Sequence, residues 1–275
     1  MNENGLPFRA VNDNERPPAP RREAAFNAPA PVLLLIAALI ICYAVPVYWM
    51  PGLGEPLLLY GSLIPARLFP GADQAAMVFP GGWAASVWTL FSYTFLHGSW
   101  PHVLLNAVWL LAFGTPMARR LGTVRFFAFY FLCGAIGGLI HAAFNAGSLV
   151  PAIGASGAIS GLMGGAARFV FLADGPLGAV GRSEWSSSHA VRAEAGIVAA
   201  LTDRRILIFV AVWVGLNLLQ ATGLPLTGQP VQVAWIAHLG GFFTGLLLFG
   251  LFDPPAYSPS GGPGNVNYGE WKGKL

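Results

Sequence analysis

Charge is what this chain lacks most. Of its 275 residues 55% are hydrophobic and only 10% are Asp, Glu, Lys or Arg, whereas a soluble domain carries about a quarter charged residues. A water-soluble core is excluded. Cysteine is also scarce: Cys42 and Cys133 are the two in the chain, and both lie inside apolar runs, which excludes a disulfide framework and a thiolate metal site. The net charge of +3 is too small for a nucleic-acid surface, and nothing in the chain points to a nucleotide, a metal or an organic cofactor, so none is expected. The N-terminal arm, residues 1–29, is polar and rich in Pro and Asn. It lacks the basic, apolar and cleavage segments of a secretory signal and reads as a disordered tail.

What is present is a series of apolar runs, each long enough at about 1.5 Å per residue to cross roughly 30 Å of hydrocarbon. The first runs from Pro31 to about Met50. Residues 51–86 mix Pro, Gly and Leu with Glu55, Arg67 and Asp73 and read as an interfacial loop. A second run follows the His97–His102 cluster to about Met117, with Pro101 suited to a first helical turn. A third covers Phe126 to Asn145 and a fourth starts near Ser156 and ends near Asp174. A polar insertion, residues 175–204, precedes a fifth run from Ile206 to Thr222, and a sixth spans Val231 to Phe252. Residues 253–275 read as a second disordered tail. The expected fold is an all-α polytopic membrane protein, a six-transmembrane-helix bundle over residues 30–252. Of the basic residues only Arg67 falls in a loop on the opposite face from both tails, so both termini are expected in the cytoplasm. That orientation sets His102 and Asn106, then Ser156, then His238 at a similar level in the outer part of three different spans.

Polar groups at that depth are expensive and each needs a role. Ser156 lies in Gly154-Ala155-Ser156-Gly157, where little side-chain bulk hinders approach to its hydroxyl. The same stretch forms small-residue rows, Ser156-Ser160-Gly164 and Gly157-Gly161-Gly165, that also serve plain helix packing. His238 is followed at three and seven residues by Gly241 and Gly245 on one helical face, which would let its helix come close to the serine's. A neutral imidazole there could take the serine proton and return it to a leaving amine; a structural histidine bonded to a carbonyl is the plainer alternative. No Asp or Glu lies within the six runs, so a dyad is what the residues permit and a carboxylate-based pump is disfavoured. His102 and Asn106, four residues apart, and the Ser156 backbone N–H are candidate donors to an oxyanion. His97 is read as holding the loop. A metal bound by His97, His102 and His238 would lack a carboxylate or thiolate companion. Ser160 reads as bonding to the preceding turn, His141 as structural, His189 as solvated, and Asn145 and Asn217 as joining helices.

Together, His97, His102 and Asn106, then Gly154-Ala155-Ser156-Gly157, then His238, Gly241 and Gly245, across six runs, resemble the rhomboid family of intramembrane serine proteases over about residues 30–252. The resemblance implies Ser156 as nucleophile, His238 as general base, and His102, Asn106 and the Ser156 amide facing the oxyanion. It further implies an outward-opening cavity, substrate entry beside the second and fifth spans, and transmembrane proteins as substrates in a lipid bilayer. By analogy the six-span form points to a bacterial plasma membrane. Two positions depart from the family pattern. Thr89 follows Trp88 where many members have arginine, and Ser160 stands where many place an aromatic ring against the histidine. A non-catalytic module that binds transmembrane helices and a small transporter are the competing readings.

Overall fold

A computed structural model describes residues 28–74, 77–171, 196–222 and 234–254. Both expected tails, apart from their inner edges, and most of the 175–204 insertion lie outside these residues. In chain order the helices are α1 (Ala30–Ala44), α2 (Gly54–Gly61), α3 (Pro65–Leu68), α4 (Gly82–Ser92), α5 (Trp100–Trp109), α6 (Thr115–Phe144), α7 (Ser156–Val170), α8 (Ile197–Thr202), α9 (Arg204–Ala221) and α10 (Trp235–Phe252). Strand pairing among the described residues is limited to one antiparallel bridge, Leu63 to Ala152.

Among the described residues four helical segments are long and apolar enough to cross a membrane: Ala30–Trp49, Trp100–Phe144, Arg204–Ala221 and Trp235–Phe252. The second contains 45 residues, and a straight helix of that length would rise to about twice the thickness of the hydrocarbon layer. It is broken at Gly122, where φ is 71° and ψ is 172°, a conformation glycine adopts without steric cost. The two arms fold back alongside each other, since Met117 and Phe129 both reach to 3.0 Å of the same point beside Gly165. The two arms carry the second and third apolar runs of the sequence. The fourth, α7, has 15 residues, about 22 Å of rise, and every residue from Gly157 to Val170 is buried. It is the central helix of the bundle, wrapped by protein instead of lipid.

What lets α7 sit at the centre is backbone contact. A Cβ added at Gly241 would overlap the carbonyl oxygen of Gly157, one at Gly245 that of Gly161, and one at Gly164 that of Phe242. On the third side, a Cβ at Gly137 of α6 would lie 2.7 Å from the Ala237 oxygen and 2.9 Å from the Gly241 nitrogen. In lipid, apolar side chains gain little by leaving one environment for another, so association rests on close van der Waals approach, which such rows permit. Towards the other end of α7, Phe126, Phe129, Phe169 and Phe249 pack as a buried aromatic group. Beside them the Arg120 guanidinium meets the Asp253 carboxylate through two bonds of 2.6 and 2.7 Å and lies 4.6 Å over the Phe169 ring.

The 51–86 segment is more ordered than a loose interfacial loop. It folds into α2, α3 and the start of α4, and it is stitched to the chain leading into Ser156. Leu63 and Ala152 exchange both backbone bonds, Ala66 N–H donates to the Ser148 carbonyl, and Gly147 N–H donates to that of Phe69. Gln74 Nε2 donates to the Gly147 carbonyl at 2.8 Å. The uncharged 147–155 connection can therefore lie deep because neighbouring chain satisfies its polar groups. Thr89 bonds within its own helix, to Ala85, and the arginine that anchors the segment is instead Arg67. It is buried, and it donates to the carbonyls of Ser62 at 3.1 Å and Leu59 at 2.5 Å.

Two substitutions test this packing. Gly245→Val is expected to destabilise the protein by about 1–3 kcal/mol, since the obstructing atom is backbone and cannot turn aside. Asp253→Ala removes both charge-assisted bonds to the half-buried Arg120 guanidinium and is expected to cost about 1.5–3 kcal/mol. Thermal unfolding of the purified protein in detergent reads both; wild-type melting temperatures would contradict the contacts described.

Candidate active site

Ser156 is the first residue of α7, and the approach to it is shaped by Gly154. Gly154 has φ of 122°, and a Cβ there would sit 2.7 Å from His102 Nε2 and 3.7 Å from Ser156 Oγ. Both the backbone conformation and the His102 ring require a glycine. The ring thus lies over the turn that enters α7, within reach of the serine's surroundings. At the helix start the Ser156 N–H has no acceptor one turn back in its own helix. The Gly154 N–H, by contrast, is tied to the Tyr93 carbonyl at 2.9 Å.

His238 Nε2 lies 2.7 Å from Ser156 Oγ, and its Nδ1 lies 2.9 Å from Asn217 Oδ1. The orientation of that amide follows from its other bond, since Asn217 Nδ2 donates to the Trp213 carbonyl at 2.9 Å. An amide with its NH₂ so engaged presents oxygen to the ring, so Nδ1 carries the proton and donates, and Nε2 accepts from the serine hydroxyl. Asn217 is fully buried and His238 is 8% exposed, while Ser156 keeps partial access to solvent. A serine, a histidine and an amide from α7, α10 and α9 form one line of hydrogen bonds with no ionised member.

A second line runs beneath the loop. His97 Nδ1 bonds the Phe95 carbonyl at 3.2 Å, and its Nε2 accepts from Asn106 Nδ2 at 3.1 Å. The same Asn106 nitrogen donates to the His102 carbonyl at 3.0 Å. Both N–H bonds of Asn106 are occupied, which differs from the expectation that its amide faces an oxyanion. Its neighbours on either side supply acceptors that capture it. His97 packs edge-on to His102, ring centres 4.8 Å apart. Burial, the neighbouring His102 ring and, opposing them more weakly, the Phe95 carbonyl hold the His97 imidazole below its ordinary 6.5, at about 4. His97 is neutral at physiological pH.

The remaining polar residues fall away from this cluster. Ser160 Oγ donates to the Ser156 carbonyl at 2.7 Å, and Asn145 bonds back to His141 within α6 instead of joining helices. His189 lies outside the described residues. Among the described residues no three His, Cys, Asp or Glu side chains converge on a point. Asn217 was legible as a helix joiner but not as the partner of His238, because the two are on different helices; the signal that could have found it is the need of His238 for an acceptor on its second nitrogen.

These features define a helical membrane protein with a hydrogen-bonded Ser–His pair. The model of the Rhomboid domain matches residues 84–253, well over half of the chain. The chain belongs to the rhomboid family, which includes serine proteases, and is an integral membrane protein. It is 32% identical over 182 residues to RHOMBOID-like protein 4 of Arabidopsis thaliana, covering 64% of this chain and 38% of that one. It is 28% identical over 181 residues to RHOMBOID-like protein 5 of the same plant, covering 59% and 56%. To Rhomboid-like protease 3 of Toxoplasma gondii it is 28% identical over 114 residues, covering 40% and 43%. The chain thus matches between about two fifths and just over half of the length of these relatives. They are eukaryotic, and the bacterial plasma membrane expected by analogy gains no support from them.

The neutral state of His97 has a consequence in acid. Between about pH 6.5 and 4 the unfolded chain binds a proton that folded His97 does not, so stability present above 6.5 is lost as the pH falls through this window. His97→Gln is expected to flatten that part of the melting-temperature profile relative to wild type; identical profiles would contradict the burial of this ring.

Proposed function

We propose that this protein is an intramembrane serine endopeptidase that hydrolyses peptide bonds in or near transmembrane segments of other membrane proteins. The observation that carries the reading is the 2.7 Å bond from Ser156 Oγ to His238 Nε2, joined to a His238 tautomer with its Nε2 lone pair facing the hydroxyl. In the proposed reaction Ser156 Oγ attacks the carbonyl carbon of the scissile peptide while its proton passes to Nε2. The Ser156 N–H and His102 Nε2 hold the resulting oxyanion. The tetrahedral species collapses, the C–N bond breaks, and the leaving amine takes the proton from Nε2. Water then attacks the acyl-serine, again giving its proton to Nε2, and the serine leaves with that proton as the new carboxyl end is freed. Asn106 joins the oxyanion site only by releasing His97 or the His102 carbonyl, so we assign it first to holding the loop.

The six-span topology with both termini in the cytoplasm belongs to the same proposal. Its support is the uneven placement of basic residues, the break at Gly122, and α7 running through the centre of the bundle. Substrates are proposed to be transmembrane proteins entering from the bilayer, in keeping with the lipid-exposed apolar surface of α9, where Leu207, Ile208, Val212 and Leu216 are exposed. A module that binds transmembrane helices without cutting them would need neither a solvent-accessible serine nor a base with its lone pair on that serine.

Comparison of membrane-protein fragments from cells bearing the wild type, Ser156→Ala or His238→Ala tests this. Fragments ending within or beside transmembrane segments are expected in the wild type and absent from both variants. The same fragments in all three would exclude the protease. Gly154→Ala is expected to lower cleavage at least about 100-fold by displacing the His102 donor, and wild-type cleavage by that variant would contradict the oxyanion assignment.

A further inference from the structure

A dyad built from serine and histidine leaves one question of chemistry open. An imidazole has two tautomers, and only the one protonated on Nδ1 can take a proton at Nε2. In triads an acid fixes this choice, and replacing that acid by an amide can cost about 10⁴-fold when the amide donates to the ring and enforces the wrong tautomer. Among the described residues no acid meets the His238 ring, and Ser160 offers no ring to hold the imidazole by stacking. The structure assigns the task to Asn217: we propose that it is a positioning residue that holds His238 in the Nδ1–H tautomer, with its own amide kept from reversing by the Trp213 carbonyl.

Two observations carry this. Asn217 and Ile206 are the buried residues of α9, so a polar side chain has been placed on the face of a lipid-exposed helix that meets the bundle. Its two polar atoms have different partners, Trp213 O for Nδ2 and His238 Nδ1 for Oδ1, each at 2.9 Å. A reversed amide would set oxygen against the Trp213 carbonyl and NH₂ against the ring nitrogen that needs an acceptor, which is unfavourable on the first count and chemically wrong on the second. An amide also orients the base without placing a negative charge beside hydrocarbon, where an unpaired carboxylate is costly.

The inference rests on the proposed nucleophile, and the test separates the two. The full-length protein in detergent is treated with a fluorophosphonate, and the second-order rate constant of labelling is measured together with thermal unfolding for the wild type, Asn217→Leu, Asn217→Ala and Asn217→Asp. Leu and Ala are expected to lower the rate about 100-fold, while Asp, which restores an acceptor to Nδ1, stays within about tenfold of wild type. A purely structural role gives the opposite order, because Leu suits an apolar helix contact better than Asp does. In the His238→Ala background, Asn217→Leu is expected to cause no further loss. Leu labelling at the wild-type rate, or Asp slower than Leu, would overturn the proposal. If the wild type is not labelled at all, the nucleophile reading fails; the ¹⁵N imidazole spectrum of His238 still decides this one, with a protonated Nδ1 supporting it and a protonated Nε2 overturning it.

Discussion

α7 and α10 hold a hydroxyl and an imidazole 2.7 Å apart at the end of a seam where glycine leaves only hydrogen between their backbones, and that seam is the constraint on which this structure depends. Carbonyl oxygens of α7 occupy the places where side chains of α10 would otherwise be, at Gly157 against Gly241 and at Gly161 against Gly245. The contact continues away from Ser156 for about two helical turns, from Gly157 to Gly164, so the position of the serine relative to the histidine is set by a rigid seam. α6 closes the third side through Gly137. The seam serves both the stability of the bundle and the chemistry at its end.

The polar interior is neutral around the site and charged away from it. Ser156, His238 and Asn217 form one neutral line; His97 and Asn106 form another, running from the Phe95 carbonyl to that of His102. Buried Arg67 and Arg168 meet carbonyls, the latter that of Leu246 at 3.3 Å, and half-buried Arg120 meets the Asp253 carboxylate. Each arrangement satisfies donors that have no water to turn to. A neutral site permits a hydroxyl and an imidazole to remain poised, because no charge has to be stabilised before a substrate carbonyl arrives.

Much of this was readable before the coordinates. The alternation of apolar runs and basic links placed Ser156 and His238 at one depth, and the three- and seven-residue spacing from His238 to Gly241 and Gly245 pointed to a close helix contact. Other features depend on partners far apart in the chain. Arg67 takes up loop anchoring that Thr89 leaves vacant, yet nothing in its neighbours signals that its donors reach Leu59 and Ser62. Asn106 shares a helical face with His102, which suggested a common oxyanion role, but His97 lies at hydrogen-bond distance and captures the amide. The identity of the His238 partner was hidden for the same reason, since 21 residues and a change of helix separate it from Asn217.

The central claim concerns the nucleophilicity of one serine, and the most direct measurement is the site of covalent modification. The purified protein is incubated with a fluorophosphonate, digested, and the adduct located by tandem mass spectrometry. The account predicts a single adduct on Ser156 that vanishes in His238→Ala. An unmodified Ser156 in folded wild-type protein, or an adduct that forms equally well without His238, would contradict it.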